Sequence, residues 1–244
     1  MPFKGTSMGY ALRVESTVSD GFTAWSRLPH IDNVTDQLWP KDIKFLNELG
    51  LLLANVGQAR RFAVTLLHSH FSVKSGEILV EQVAADRTYI ATRVQDGPNQ
   101  GNASWLVPKS WLFQPEKLPL HPETLEVLTW TEEKNINYGK LCESDAGLLR
   151  QIAALFRSSG AVSRFGLALV GTPPDVGNVW TEGSNDNGRF LVQEQVSAND
   201  PRVTWAINTM WQFDDTGKRI TTLGCCKRTR SGDGHTGTVH PKGW

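Results

Sequence analysis

Only two stretches of this chain repeat their apolar residues at helical spacing, and that scarcity constrains the fold more than any other feature. After Pro40, the residues Ile43, Phe45, Leu46, Leu49, Leu52, Leu53 and Val56 fall on one helical face, and Gly57 supplies a stop. The second stretch starts at Ser144-Asp145, with Ser144 as N-cap. It carries Leu148, Leu149, Ile152, Leu155 and Phe156 on one face and closes at Gly160. Most other apolar residues stand in short runs rich in β-branched and aromatic types, which read as strands: 62–71, 77–83, 88–94, 162–170, 189–196, 203–213 and 219–226. A short Gly-containing loop at 72–76 joins the first two runs as a hairpin, and Asp214-Asp-Thr-Gly217 joins the last two. Residues 105–130 are interrupted by Pro108, Pro115, Pro119 and Pro122 and are expected to cross the surface in short extended pieces. The expected architecture is one α+β domain over 1–244, a large, mostly antiparallel sheet with two main helices on one face.

An internal comparison refines that expectation. Arg61-Phe-Ala-Val-Thr-Leu66 follows the first helix and is followed by Leu79-Val-Glu-Gln-Val83. Arg164-Phe-Gly-Leu-Ala-Leu169 follows the second helix and is followed by Leu191-Val-Gln-Glu-Gln-Val196. This suggests a pseudo-repeat with halves near 36–118 and 119–244, and a ligand site between them. Chance similarity is the other reading, because strands draw on a small alphabet.

Composition excludes several classes. The chain has 244 residues, with 25 Lys+Arg balanced by 25 Asp+Glu, so no global field steers it to nucleic acid or an anionic membrane. The basic runs Lys218-Arg219 and Lys227-Arg228-Thr229-Arg230 read as solvated ends of a hairpin and its following loop, with contact to a charged RNA left open. No run approaches the roughly 20 apolar residues that cross a bilayer. Three cysteines, two of them adjacent at Cys225 and Cys226, make no disulfide framework, and the first residues lack a basic-then-apolar leader. A reducing, cytoplasmic setting is therefore expected. Walker A, Rossmann, G-x-S-x-G and H-E-x-x-H patterns are absent, so no nucleotide cofactor is expected. The oligomeric state is not legible.

The segment with the most chemical content is Leu66-Leu-His68-Ser-His70, followed by Glu77. On a strand, residues two apart share a face, so His68 and His70 point together, in line with Val64 and Leu66. If the loop spans 71–76, Glu77 lies across from His70 and adds a carboxylate, while a one-residue slip moves Glu77 and Glu81 to the other face. Two imidazoles and a carboxylate with open positions suit a divalent ion, Zn(II) for hydrolysis or Fe(II) for oxygen chemistry. His-x-His followed by Glu is similar to the metal motif of cupin barrels. Here the Glu follows the second His by seven positions, later than in that motif, and no second half of the pattern is present.

Two further groups are candidates. Cys226, His235 and His240 lie in or beside a Gly-rich tail, and a thiol beside an imidazole would act as an activated nucleophile in acyl transfer. Trp205 and Trp211 share a strand face that would line an apolar pocket with Asn208. The preferred expectation is an enzyme acting on a small organic molecule. His68, His70 and Glu77 would hold the metal, with His235 closing the pocket or supplying a proton. The alternatives are a cofactor-free Cys/His acyl- or aminoacyl-transferase or cyclase, and a non-enzymatic small-molecule-binding protein.

Overall fold

The computed structural model describes residues 24–84, 89–97, 106–113, 125–132, 134, 140–170, 175, 177–185 and 189–226. Its strands are β1 (Phe62–Leu66), β2 (Glu77–Val83), β3 (Tyr89–Asp96), β4 (Leu106–Phe113), β5 (Leu125–Glu132), β6 (Phe165–Leu169), β7 (Asn178–Asn185), β8 (Phe190–Ser197), β9 (Ala206–Phe213) and β10 (Arg219–Cys226). Two long helices, α1 (Pro40–Asn55) and α2 (Ala146–Ser158), each precede the first strand of a run of five, and a short helix, α3 (Pro201–Trp205), leads into β9. None of the described helices is long and apolar enough to cross a membrane.

The strands neighbour one another in the order β1-β6-β4-β5-β2-β3-β8-β7-β10-β9, and β9 pairs back onto β1. This overturns the expected α+β sheet with helices on one face: the sheet closes into a barrel of ten strands. Residue patterns mark strands but not their partners, and closure depends on pairings between distant segments, such as Phe62 with Leu169. Eight ladders are antiparallel, while β2 with β5 and β7 with β10 are parallel. The expected hairpin of 62–71 with 77–83 does not form, because β6 and β9 occupy both edges of β1. β2 pairs with β3 and β5 instead.

The proline-broken region holds two full strands. Pro108 sits within β4 where the register against β5 shifts, a bulge that tolerates a residue with no N–H. At the other end of the barrel wall, the expected strand from Val203 starts late. Pro201 and the Asp200 side chain, which accepts from Arg202 N at 2.8 Å, initiate α3, so strand pairing begins at Ala206.

Exchanging β1–β5 for β6–β10 returns the same circular strand order, so the barrel has a pseudo-two-fold axis. The axis passes through the β1–β6 ladder where Val64 faces Leu167. Trp211 of β9 faces Val64, and Trp111 of β4 faces Leu167, so the two tryptophans are equivalent. Register shifts follow Ser110 on β4 and Met210 on β9 in the same way. In this arrangement β7 stands where β2 stands, and β8 where β3 stands. The sequence similarity of 79–83 with 191–196 thus links strands that are not equivalent, as the small strand alphabet permits.

The halves also clasp each other with matched ion pairs. Arg61 at the head of β1 donates to Asp145 Oδ1 at 2.6 Å and Oδ2 at 2.8 Å, and to the Lys140 carbonyl. Arg164 at the head of β6 pairs with Asp42 and donates to the carbonyls of Thr35 and Gln37. Both aspartates are buried, so each depends on its arginine fork.

Both long helices pack outside the barrel over β9, β1, β6, β4 and β5. Leu46, Leu49 and Leu53 of α1 and Leu149, Ile152 and Phe156 of α2 join Val64, Trp111, Leu167 and Trp211 in the main core. Full burial of such a side chain contributes about 1.5–3 kcal/mol. Val64, Trp111, Leu167 and Trp211 alternate along their strands with Thr65, Ser110, Ala168 and Met210, which face the lumen.

Two outcomes are expected. Gly50 of α1 touches the turn between β9 and β10, where a Cβ would run into the Gly217 carbonyl oxygen and approach Phe213 Cδ1 at 2.6 Å. Gly50→Ala should therefore cost about 1–3 kcal/mol in denaturant unfolding, and an unchanged midpoint would refute the close approach. For Asp145, burial pushes the carboxyl up, but hydrogen bonds from Arg61 and Cys142 outweigh it and hold it below its ordinary value. Its pair therefore stabilises fully above the unfolded value of about 3.9 and loses that contribution as pH falls through the lower folded value. Asp145→Asn should show a lower melting temperature near neutrality and a shallower loss below about pH 4 than the parent. Parallel acid limbs would count against the pair.

Candidate metal centre

Past the end of β1 the chain continues over one mouth of the barrel. Ser69 N donates to the Pro29 carbonyl and Ile31 N donates to the Ser69 carbonyl, each at 2.8 Å, forming a parallel bridge between Ser69 and His30. Flanking this bridge, His68 and His70 bring their rings together, with centroids 5.0 Å apart at 72°. Because β1 stops at Leu66, the histidines do not continue the Val64 face into the helix-covered core.

The carboxylate that meets them is Glu182 of β7. His70 Nε2 lies 3.2 Å and His68 Nε2 3.6 Å from the same oxygen, Oε1. The other oxygen, Oε2, accepts from Gln193 Nε2 of the neighbouring β8 at 2.8 Å. His70 is 3% and Glu182 4% exposed, so the cluster is nearly dry. His68, His70 and Glu182 each offer an atom within 4.8 Å of the others, a group able to hold a metal ion.

The protonation pattern follows from the partners. His68 Nδ1 lies 2.8 Å from the Leu66 carbonyl, which can only accept, so Nδ1 carries a proton. In the neutral ring, Nε2 then presents a lone pair toward the carboxylate. Burial pushes the Glu182 carboxyl up, yet hydrogen bonds and charge interactions with His68 and His70 outweigh burial and hold it well below the usual carboxylate range. A lone pair and an anion at this distance require a proton or a cation between them. Ligand atoms about 2.0–2.2 Å from a tetrahedral or octahedral ion stand roughly 3–3.5 Å apart, close to the observed spacings.

The site opens on a cavity of about 90 Å³ lined by residues of all ten strands, which identifies it as the lumen. Besides His68 and Glu182, its polar lining includes Glu81 and Lys109, which form an ion pair. Glu81 of β2 faces Thr92 and Thr131, and Glu182 of β7 faces Gln193 and Cys225, so the two glutamates are equivalent about the pseudo-two-fold axis. Their compensation differs. At the position equivalent to Lys109, β9 carries Thr209, fully buried with an Oγ1 that has no hydrogen-bond partner among the described residues. Glu182 is met instead by imidazoles from the other half.

The structure places the other expected residues elsewhere. Glu77 starts β2 opposite Asp96, away from His70, and pairs with Arg189, whose Nη1 donates to Oε1 at 3.0 Å. Hydrogen bonding to Arg189 outweighs its slight burial and lowers its carboxyl from the ordinary value. Trp211 lies in the core beneath the helices, and Asn208 is exposed, with Nδ2 donating to Asp36 Oδ2 at 3.1 Å. Neither belongs to the lumen lining. Trp205 ends α3 and Cys226 ends β10 opposite Ala206, with side chains outside the described residues, as are His235 and His240. Sequence reasoning missed Glu182. Its one available signal was the 101-residue offset that aligns it with Glu81.

No protein-family model, curated protein or solved structure matches this chain. The assignment of the site therefore rests on its geometry. In long-range proton–nitrogen NMR spectra of metal-free protein, His68 should carry a proton on Nδ1 at every pH at which the fold persists. A neutral Nε2–H form would overturn the hydrogen-bond assignment.

Proposed function

We propose that this chain is a metal-dependent enzyme acting on a small organic molecule, with a divalent ion, Zn(II) or Fe(II), held by His68, His70 and Glu182 at the lumen. The observation that carries the reading is the convergence of two imidazole nitrogens on one buried carboxylate oxygen beside a cavity. Hydrogen bonds behind the ligands support it: Leu66 orients His68, and Gln193 fixes the second oxygen of Glu182. Three protein ligands leave coordination positions for water or substrate. An ion there would polarise a substrate oxygen or lower the pKa of a bound water, and the enclosure of the site would strengthen that effect.

Elemental analysis of the purified, untagged protein tests this reading. Close to one divalent ion per chain is expected in the parent, and loss of that ion in His68→Ala/His70→Ala and in Glu182→Gln with the fold retained by circular dichroism. Gln193→Ala should bind the ion roughly 10- to 100-fold more weakly. No ion after reconstitution with Zn(II) and with Fe(II) would overturn the proposal.

A further inference from the structure

A segment that precedes α1, residues 24–31, lies against the barrel mouth that bears the metal cluster. Its Trp25 is 7% exposed and packs with Leu67, Leu79, Leu112 and Leu128. Along β2 and β4, Leu79 and Leu112 alternate with Glu81 and Ser110, which line the lumen, so the indole sits among inner-face residues. Several contacts hold it there. Trp25 Nε1 donates to the Phe71 carbonyl at 2.9 Å, Arg27 pairs with Glu126 of β5, and the bridge between His30 and Ser69 ties the end of the segment. A buried indole with its N–H satisfied makes a fixed wall.

Two spaces meet at that wall. Trp25 and Leu128 line the lumen beside His68 and Glu182, and they also line a seam whose borders include Val73, Ile78, Leu79 and Trp130 and which is too tight for water. The lumen measures about 90 Å³, whereas an apolar protein cavity of about 150 Å³ holds benzene. We infer that Trp25 determines specificity by size, setting the longest molecule that the lumen admits beside the ion and so restricting the ligands to short organic molecules. This inference rests on the metal reading above and adds the size class of the substrate and the residue that fixes it. A longer chain has to displace the indole, which costs the hydrogen bond to Phe71 and the packing around the ring. Trp25 offers no ligand atom, so shortening it opens the lumen toward the seam without removing the ion.

Hydroxamates provide the test, because their two oxygens chelate Zn(II) while the carbon chain is varied. Isothermal titration of acetohydroxamate and of hexanohydroxamate into the Zn(II)-loaded full-length chain should show the longer compound binding at least about tenfold more weakly. Trp25→Ala should tighten hexanohydroxamate by about tenfold or more and change acetohydroxamate less than about threefold, with the ion retained by elemental analysis. Trp25→Leu keeps an apolar anchor and should move both values in the same direction to a smaller extent. Equal affinities in the parent, or the parent's ratio kept in both variants, would overturn the inference while leaving the metal site standing. Loss of the ion in the variants would make Trp25 a support for the ligands and would also overturn it. A parent that carries no ion overturns both readings. If neither variant folds, nuclear Overhauser contacts between the acetohydroxamate methyl group and the Trp25 ring in the parent decide, and their absence refutes the role given to Trp25.

Discussion

Closing a sheet obliges every strand to find two partners, and in this barrel the obligation is met across the pseudo-two-fold axis. The β1–β6 ladder places Val64 against Leu167, and the flanking tryptophans, Trp211 and Trp111, complete the same contact from either side. Around it the two helices cover one outer sector and the crossed pairs Arg61–Asp145 and Arg164–Asp42 tie each helix start to the opposite half. Closure leaves no free edge to protect, which is why a strand as apolar as Phe165-Gly-Leu-Ala-Leu169 can be buried along its whole length.

The same closure creates the chemical problem that the site answers. Side chains on the inner face of ten strands meet in one small space, and two of them are glutamates at equivalent positions. A buried carboxylate without a partner costs several kcal/mol. One glutamate is answered by a lysine from its own half. The other is answered by two imidazoles carried on a loop from the opposite half, pinned by the bridge to His30. A lysine offers a fixed charge, whereas imidazoles exchange protons or bind metal near neutral pH. Symmetry in the scaffold and asymmetry in the compensation together give the two glutamates different partners.

Much of the local structure was legible in the chain. Both long helices follow from apolar spacing and stops, and most strands from β-branched runs, because those signals act within a few residues. The turn at Asp214–Gly217 was legible for the same reason: Thr216 N donates to Asp214 Oδ1 at 2.9 Å, and Gly217 takes a positive φ of 81°. Pairing was not legible. Nothing local tells β1 that its partners are β6 and β9, and Pro108 hid a strand because a bulge can absorb it. At the site, the meeting of His68 and His70 was legible from their spacing, but not their direction, because the strand expected to carry them ends at Leu66 and they leave the Val64 face. Their carboxylate was assigned to Glu77, the nearest in sequence, when the closed topology delivers Glu182 from β7.

The ladders on the pseudo-two-fold axis have a consequence for assembly. Phe62 waits for Leu169 and Arg93 for Phe190, so the first half of the chain must remain open until the second has been made. Each half presents surfaces that recognise the other half, and an identical half from a neighbouring molecule satisfies them equally well. An exchange of halves between two chains would use these same contacts, and its extent would rise with chain concentration during synthesis. In an exchanged pair, each mouth would instead receive its histidines from one polypeptide and its glutamate from the other.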